Sequence, residues 1–210
     1  MSTCILVLGT PRSGTSCVAG VLHHLGVPMG KRFSEPDEWN SAGYFQDEDF
    51  EDWLDVYDFW WDRSKPIIGC RMSDEDALAG LSQLIDARNA EFDVWGVKSQ
   101  RLAHILPMLA AKTDLKVIRT SRVKAASIAS WRAMTGNTLA ESTRVVNYIN
   151  DLINTKLAET NVIPALTVNF SDLMNTPAPI IEQIAAVAGV NVTQPAVGWV
   201  QPNLVRFQNG

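Results

Sequence analysis

The apolar residues of this chain fall into short unbroken runs and into longer stretches at helical spacing, and the two kinds alternate. Cys4–Leu8 is apolar throughout, contains β-branched residues and stops at Gly9, which predicts a buried strand. From Gly14 to Leu25 the apolar positions Val18, Val21, Leu22 and Leu25 recur as on one helix face, and Gly26 ends the pattern. Residues 27–45 hold Pro28, Gly30, Pro36 and Gly43 and read as a long loop. Between Gln46 and Asp62 the residues Phe50, Trp53, Leu54, Tyr57 and Trp61 share a face, with acids on the rest of the surface, so a helix is predicted there. Further helices are predicted near 74–89, 101–112 (kinked or broken at Pro107), 122–134, 138–160 and 177–188. Short strands are predicted at 93–97, 115–118 and 164–168, and the last twenty residues, with Pro195 and Pro202, as irregular. This alternation predicts an α/β three-layer sandwich around a mostly parallel central sheet. No repeat, low-complexity tract or linker divides the chain, so residues 1–210 are expected to form a single domain.

Composition narrows the possible roles. The net charge is −5, and eleven carboxylates lie between residues 35 and 62, which leaves no broad basic face for nucleic acid. That acidic face reads most simply as solvated, and the tryptophans around it, Trp39, Trp53, Trp60 and Trp61, as core packing. Cys4, Cys17 and Cys70 form no CxxC pair, which points to a reduced, cytoplasmic protein. The short apolar run at the start lacks the basic flank of a signal peptide, and no apolar window is long enough to span a membrane.

The candidate chemistry begins between the first strand and the first helix, at Gly9-Thr-Pro-Arg-Ser-Gly14-Thr-Ser16. A loop there turns backbone N–H groups toward one point, and the helix N-terminus adds its positive end, so the segment suits an oxyanion. Arg12, Ser13, Gly14, Thr15 and Ser16 are the candidate ligands. The segment is close to an ATP-binding phosphate loop, but Thr15 occupies the lysine position and the cation sits inside the loop at Arg12, which argues against ATP–Mg²⁺ chemistry. A second candidate anion site is Arg119, at the end of the predicted 115–118 strand, with Ser127 eight residues on and Arg122 able to add charge. The alternative for this pair is a structural salt bridge and a helix-packing serine.

At these residues the chain resembles the sulfotransferases that use 3′-phosphoadenosine 5′-phosphosulfate (PAPS), and most of all their small bacterial and phage-type branch. Leu6–Ser16 resembles that family's 5′-phosphosulfate loop, and Val117–Ser127 its 3′-phosphate motif, with Arg and Ser eight residues apart. Trp95–Arg101 resembles the strand whose lysine, here Lys98, precedes the substrate site. Asn40–Asp47 resembles an asparagine–glycine–aromatic–acid segment, and Val168–Leu173 one whose aromatic, here Phe170, lies near adenine. Trp199–Phe207 resembles a closing segment that supplies a late cation, here Arg206. The resemblance implies a P-loop nucleoside-triphosphate-hydrolase-like fold and metal-independent in-line transfer of a sulfuryl group to a hydroxyl or amine. Arg12 and Lys98 would meet the charge on the leaving oxygen. Two positions depart from the pattern. Gln100 stands where many relatives carry a catalytic histidine, and Cys17 where they carry an adenine-stacking tryptophan. A carboxylate then becomes the candidate base, Asp47 first, then Glu35 and Glu38. His23, His24 and His104 read as structural or surface residues. The competing functions are a nucleotide binder without catalysis and a P-loop kinase.

Overall fold

The chain is described from a computed structural model that defines residues 1–56 and 75–200. Four strands, β1 (Thr3–Leu8), β2 (Val94–Lys98), β3 (Asp114–Ser121) and β4 (Leu166–Asn169), form one sheet in the order β2-β1-β3-β4. Every pairing is parallel. The central strand β1 explains its unbroken apolar sequence: Cys4, Leu6 and Leu8 enter one core and Ile5 and Val7 the other. The first core is covered by α2 (Glu48–Val56), α3 (Glu75–Glu91), a 3₁₀ turn at Gln100–Ile105, α4 (Leu106–Lys112) and α6 (Leu139–Glu159). The second is covered by α1 (Thr15–His24), α7 (Phe170–Asn175), α8 (Pro177–Ala188) and α9 (Gln194–Trp199). The remaining helix, α5 (Lys124–Thr135), packs on α6. This is the expected three-layer α/β sandwich, with helices on both faces of a parallel sheet.

Most predicted elements lie where expected, and the differences have local causes. The single helix expected at 101–112 is a 3₁₀ turn followed by α4, because Pro107 lies in the first turn of α4, where a missing N–H costs no bond. α6 starts at a capping box, Thr138 with Glu141, that the sequence carries as T-x-x-E. Two helices of six residues, α7 and α9, are too short for periodicity to reveal, and α9 corrects the expectation of an irregular tail. Its start was nevertheless encoded, since Thr193 accepts from the Ala196 amide and Pro195 lies in the first turn. The helix expected at 46–62 is seen as α2. Trp60, Trp61 and the rest of that stretch lie outside the described residues, as does Arg206. Among the described residues, no helix is long and apolar enough to cross a membrane.

Candidate active site at the carboxyl edge of the sheet

The loop Gly9–Gly14 leaves β1 and turns sharply into α1. Two glycines are required by its geometry. A Cβ on Gly9 would lie 2.0 Å from Thr120 Oγ1, and Gly14 holds φ 97° with the Phe170 ring 2.4 Å from where its Cβ would stand. Arg12 itself adopts φ 64°, an uncommon conformation for a side-chain-bearing residue, which this tight turn imposes. Ser13 is fully buried. Its hydroxyl bonds the Thr10 carbonyl at 2.7 Å and Thr120 Oγ1 at 2.6 Å, tying the loop to β3 rather than facing the cleft. Among the described residues, the amides of Gly14, Thr15 and Ser16 donate to no carbonyl, and α1 has no side-chain cap. They are therefore available to an anion at the helix start.

A cleft opens over this loop, lined by Arg12, Gly14, Thr15, Ser16 and Cys17, and by Trp39, Arg122, Ser130, Phe170 and Trp199 from four other segments. Arg12 spans it. Its Nε donates to Ser130 Oγ at 3.0 Å and its Nη2 to the Trp39 carbonyl at 3.1 Å. Arg122 donates to the Arg12 carbonyl at 3.1 Å and lies 4.8 Å over the Phe170 ring. Burial first, and then the charge of Arg12, hold the Arg122 guanidinium below its usual pKa.

The cleft is lined by Arg122 and Ser130, which have the same eight-residue spacing as the expected pair Arg119 and Ser127; that pair does not line it. The reason is the length of β3. It runs to Ser121, three residues beyond the expected end at Ile118, and Arg119 lies inside it, in register with Leu8 and Thr167. The first cation beyond the strand end is Arg122. Arg119 lines a neighbouring cavity, and its Nη2 donates to Asn150 Oδ1 at 3.0 Å. Ser127 is buried, lines neither cavity, and its Oγ has no hydrogen-bond partner among the described residues. The sequence singled out Arg119 and Ser127, with Arg122 only as added charge, and did not single out Ser130.

Cys17 stands where the resemblance would place a tryptophan, yet the cleft has an indole there. Trp199 of α9 lies against Gly20, and its Nε1 donates to the Cys17 carbonyl at 3.3 Å. His24 (4.7 Å) and Phe45 (5.2 Å) hold it in an aromatic cluster. His23 and His24 are thus packing residues of this aromatic cluster. Nothing local in the sequence marks Trp199 as a partner of Cys17.

Lys98 ends β2, in register with Val7 just before the loop. It is 4% exposed, and its ammonium lies 5.7 Å over the Tyr44 ring. Burial lowers its pKa to about 8; Glu51 opposes this shift and Arg12 adds to it. Between about pH 8 and its ordinary value of 10.5, the unfolded chain holds the proton that the folded chain has lost. The contribution of Lys98 to stability therefore rises with pH across that window. Urea unfolding from pH 7.5 to 10 is expected to show this rise, and a Lys98→Met variant to lack it. Equal pH dependence in the two proteins would show that Lys98 has an ordinary pKa.

Asp47 is not at the cleft. It is 2% exposed and accepts from Arg88, itself 4% exposed, at 2.7 Å and 3.2 Å. Burial raises its pKa, and the Arg88 guanidinium pulls it back. Glu35 and Glu38 are exposed on the long loop. The acidic face expected to be solvated is laced with arginines instead. Arg32 reaches Glu48, Asp49 and Asp52; Arg88 reaches Asp47 and Asp49; Arg101 reaches Glu51 and Asp55. These arginines come from distant parts of the chain, so the clustering of acids in sequence does not reveal the pairing.

No known family profile matches the sequence, and no curated protein does. Solved structures do. A sulfotransferase of Mycobacterium tuberculosis superposes with TM-score 0.52 at 14% identity, over 95% of this chain and 71% of that one. The sulfotransferase domain of the Synechococcus olefin synthase gives TM-score 0.59 at 16% identity, over 98% and 79%. The sulfotransferase domain of the curacin biosynthetic pathway gives 0.58 at 16%, over 99% and 81%. A parallel sheet of this order, a phosphate-type loop after its central strand and these superpositions agree: the chain has the sulfotransferase fold, a P-loop α/β sandwich.

Proposed function

We propose that this protein is a sulfotransferase that binds PAPS in the cleft over the Gly9–Ser16 loop and passes its sulfuryl group to a hydroxyl or amine. The observation that carries the reading is convergence. Arg12 from the loop and Arg122 with Ser130 from the β3–α5 segment meet in one cleft walled by Phe170 and Trp199. Those features fit a bisphosphorylated adenosine, with one anion at the helix start, one at Arg122 and Ser130, and a purine between aromatic faces.

When bound, the donor supplies an activated sulfuryl group and leaves as adenosine 3′,5′-bisphosphate. The amides of Gly14, Thr15 and Ser16 hold the 5′ end. Arg12, aided by Lys98, meets the charge that gathers on the bridging oxygen. With Asp47 committed to Arg88, the carboxylate beside Arg12 is Asp37, which accepts from the Tyr44 hydroxyl at 2.7 Å. Burial raises its pKa, but Tyr44, the Asn40 and Trp39 amides and Arg12 together hold it below the usual range, so it is ionised at neutral pH. We assign it the proton of the acceptor. Free, buried Cys4 and Cys17 suit a reducing cytoplasm.

Isothermal titration with adenosine 3′,5′-bisphosphate and with 5′-AMP tests the site. The wild type is expected to prefer the bisphosphate. Arg122→Ala is expected to weaken it by about 10- to 100-fold, the worth of a charge-assisted bond of roughly 1.5–3 kcal/mol, and to leave 5′-AMP nearly unchanged. Equal losses for both ligands would remove Arg122 from the 3′-phosphate site. A second reading, nucleotide binding without transfer, is favoured by Gln100 and by the engagement of Asp47. It predicts the same titrations and no sulfated product with any acceptor.

A further inference from the structure

The loop that carries Asp37 doubles back so that Tyr44, seven residues on, meets it. Asp37 Oδ1 accepts from the Trp39 and Asn40 amides, each at 2.8 Å, which closes a first tight turn. Asn40 Nδ2 then donates to the Gly43 carbonyl at 2.7 Å, and the Gly43 amide donates to the Asn40 carbonyl at 3.0 Å. Gly43 takes φ 97° to complete this second turn. The Tyr44 hydroxyl thereby reaches Asp37 Oδ2 at 2.7 Å. Both carboxylate oxygens are held, one by the backbone and one by the phenol. Asp37 is otherwise exposed. A carboxylate oxygen has two lone pairs, so Oδ2 can accept from Tyr44 and still take a second proton.

The same side chain reaches the buried cation of the site. The Lys98 ammonium lies 5.7 Å over the Tyr44 ring, within the range at which an aromatic face attracts a cation. Lys98 comes from β2 and Asp37 from the long loop, and Tyr44 contacts both. The first turn is also tied to the phosphate loop, since Arg12 Nη2 donates to the Trp39 carbonyl. The charged groups that act on these two residues are few. Arg12 acts on Asp37, and Glu51 and Arg12 act on Lys98. Burial raises the Asp37 pKa, and the Tyr44 hydroxyl leads the groups that bring it below the usual range, ahead of the two amides and Arg12.

We propose that Tyr44 is a positioning residue for sulfuryl transfer: its hydroxyl aims the Asp37 carboxylate and its ring seats the Lys98 ammonium, so one side chain sets the spacing of proton acceptor and cation. The role in transfer rests on the reading of the cleft as a PAPS site; the contact with Asp37 does not. In the step it serves, the acceptor oxygen bonds to sulfur and its proton passes to Asp37 Oδ2. The bridging oxygen leaves with the electron pair of the broken S–O bond.

Two measurements on the whole chain test this. The first follows the Asp37 carboxyl carbon by NMR as pH is varied, with Asp37→Asn identifying the signal. Tyr44→Phe keeps the ring and removes the donor, so the Asp37 pKa is expected to rise by about one pH unit, the size of one hydrogen bond to a charged group. An unchanged value overturns the proposal. The second is the pH profile of transfer from PAPS to benzyl alcohol and to phenol, whose own protons do not titrate in the acid range. In Tyr44→Phe the acid limb of kcat is expected to move up by the same interval, with kcat about tenfold lower and KM nearly unchanged. The alkaline limb, set by Lys98, should stay in place in Tyr44→Phe. In Tyr44→Ala it should move up, because hydration returns the ammonium toward its ordinary pKa. In an Asp37→Asn background, Tyr44→Phe should slow transfer no further. An acid limb that does not move, or equal slowing with and without Asp37, shows that Tyr44 only supports the fold. If adenosine 3′,5′-bisphosphate binds but neither acceptor is sulfated, the role in transfer is refuted and the NMR titration alone judges the contact. If the nucleotide does not bind, the donor-cleft reading itself fails.

Discussion

Replacing Arg12 with alanine is expected to lower sulfuryl transfer by about a hundred- to a thousand-fold, the usual cost of removing a donor aimed at developing charge. Arg12 joins the loop to two other walls of the cleft, through Ser130 Oγ and the Trp39 carbonyl. Its guanidinium is already held across the loop by these two bonds. The backbone at φ 64° is as strained for alanine as for arginine, so the substitution should leave the fold's stability little changed. Arg12→Lys keeps the charge but loses the fork that reaches two acceptors at once, and an intermediate rate is expected. The measurement is single-turnover transfer at saturating donor, which separates chemistry from binding. A rate for Arg12→Ala within a few-fold of wild type would exclude Arg12 from the transfer step.

The second large effect is on stability. Asp47→Ala is expected to reduce the unfolding free energy by about 3–5 kcal/mol, because it strips Arg88 of its most buried partner and leaves a charge with only half-exposed Asp49. The pair joins the start of α2 to the end of α3, and Asp47 lies against Gly30 of the long loop. The double variant Asp47→Leu with Arg88→Met should recover most of the loss, since it removes both desolvated charges together. Urea unfolding of the three proteins measures this. At a temperature where Asp47→Ala remains folded, its transfer rate per folded molecule should equal the wild type. A stability loss below about 1 kcal/mol would refute the buried-pair account, and a rate collapse in the folded variant would return Asp47 to the chemistry.

Both effects come from one chain, and the sequence reveals them unequally. The turn after β1 was legible because its geometry is local. A strand, a glycine-bracketed turn and a helix start lie within sixteen residues, and their backbone groups must converge whatever the rest of the fold does. The core strands were legible for a similar reason, since β1 is apolar on both faces and can only be central. The Arg–Ser pair was half legible. The sequence pointed to Arg119 with Ser127; the same spacing recurs at Arg122 and Ser130, and the pairing that extends β3 to Ser121 leaves Arg122 as the first cation past the strand, on the cleft.

The sequence by itself therefore determined the layered α/β fold, the glycine-bracketed turn after β1 and the presence of cations near the end of β3. Periodicity, glycine placement and strand–helix alternation are read between near neighbours. Tertiary structure alone decided that Arg122 faces the cleft, that Asp47 is spent on Arg88 and that Trp199 stands beside Cys17. Each of those depends on contacts between residues roughly 40 to 180 positions apart, which no local pattern encodes.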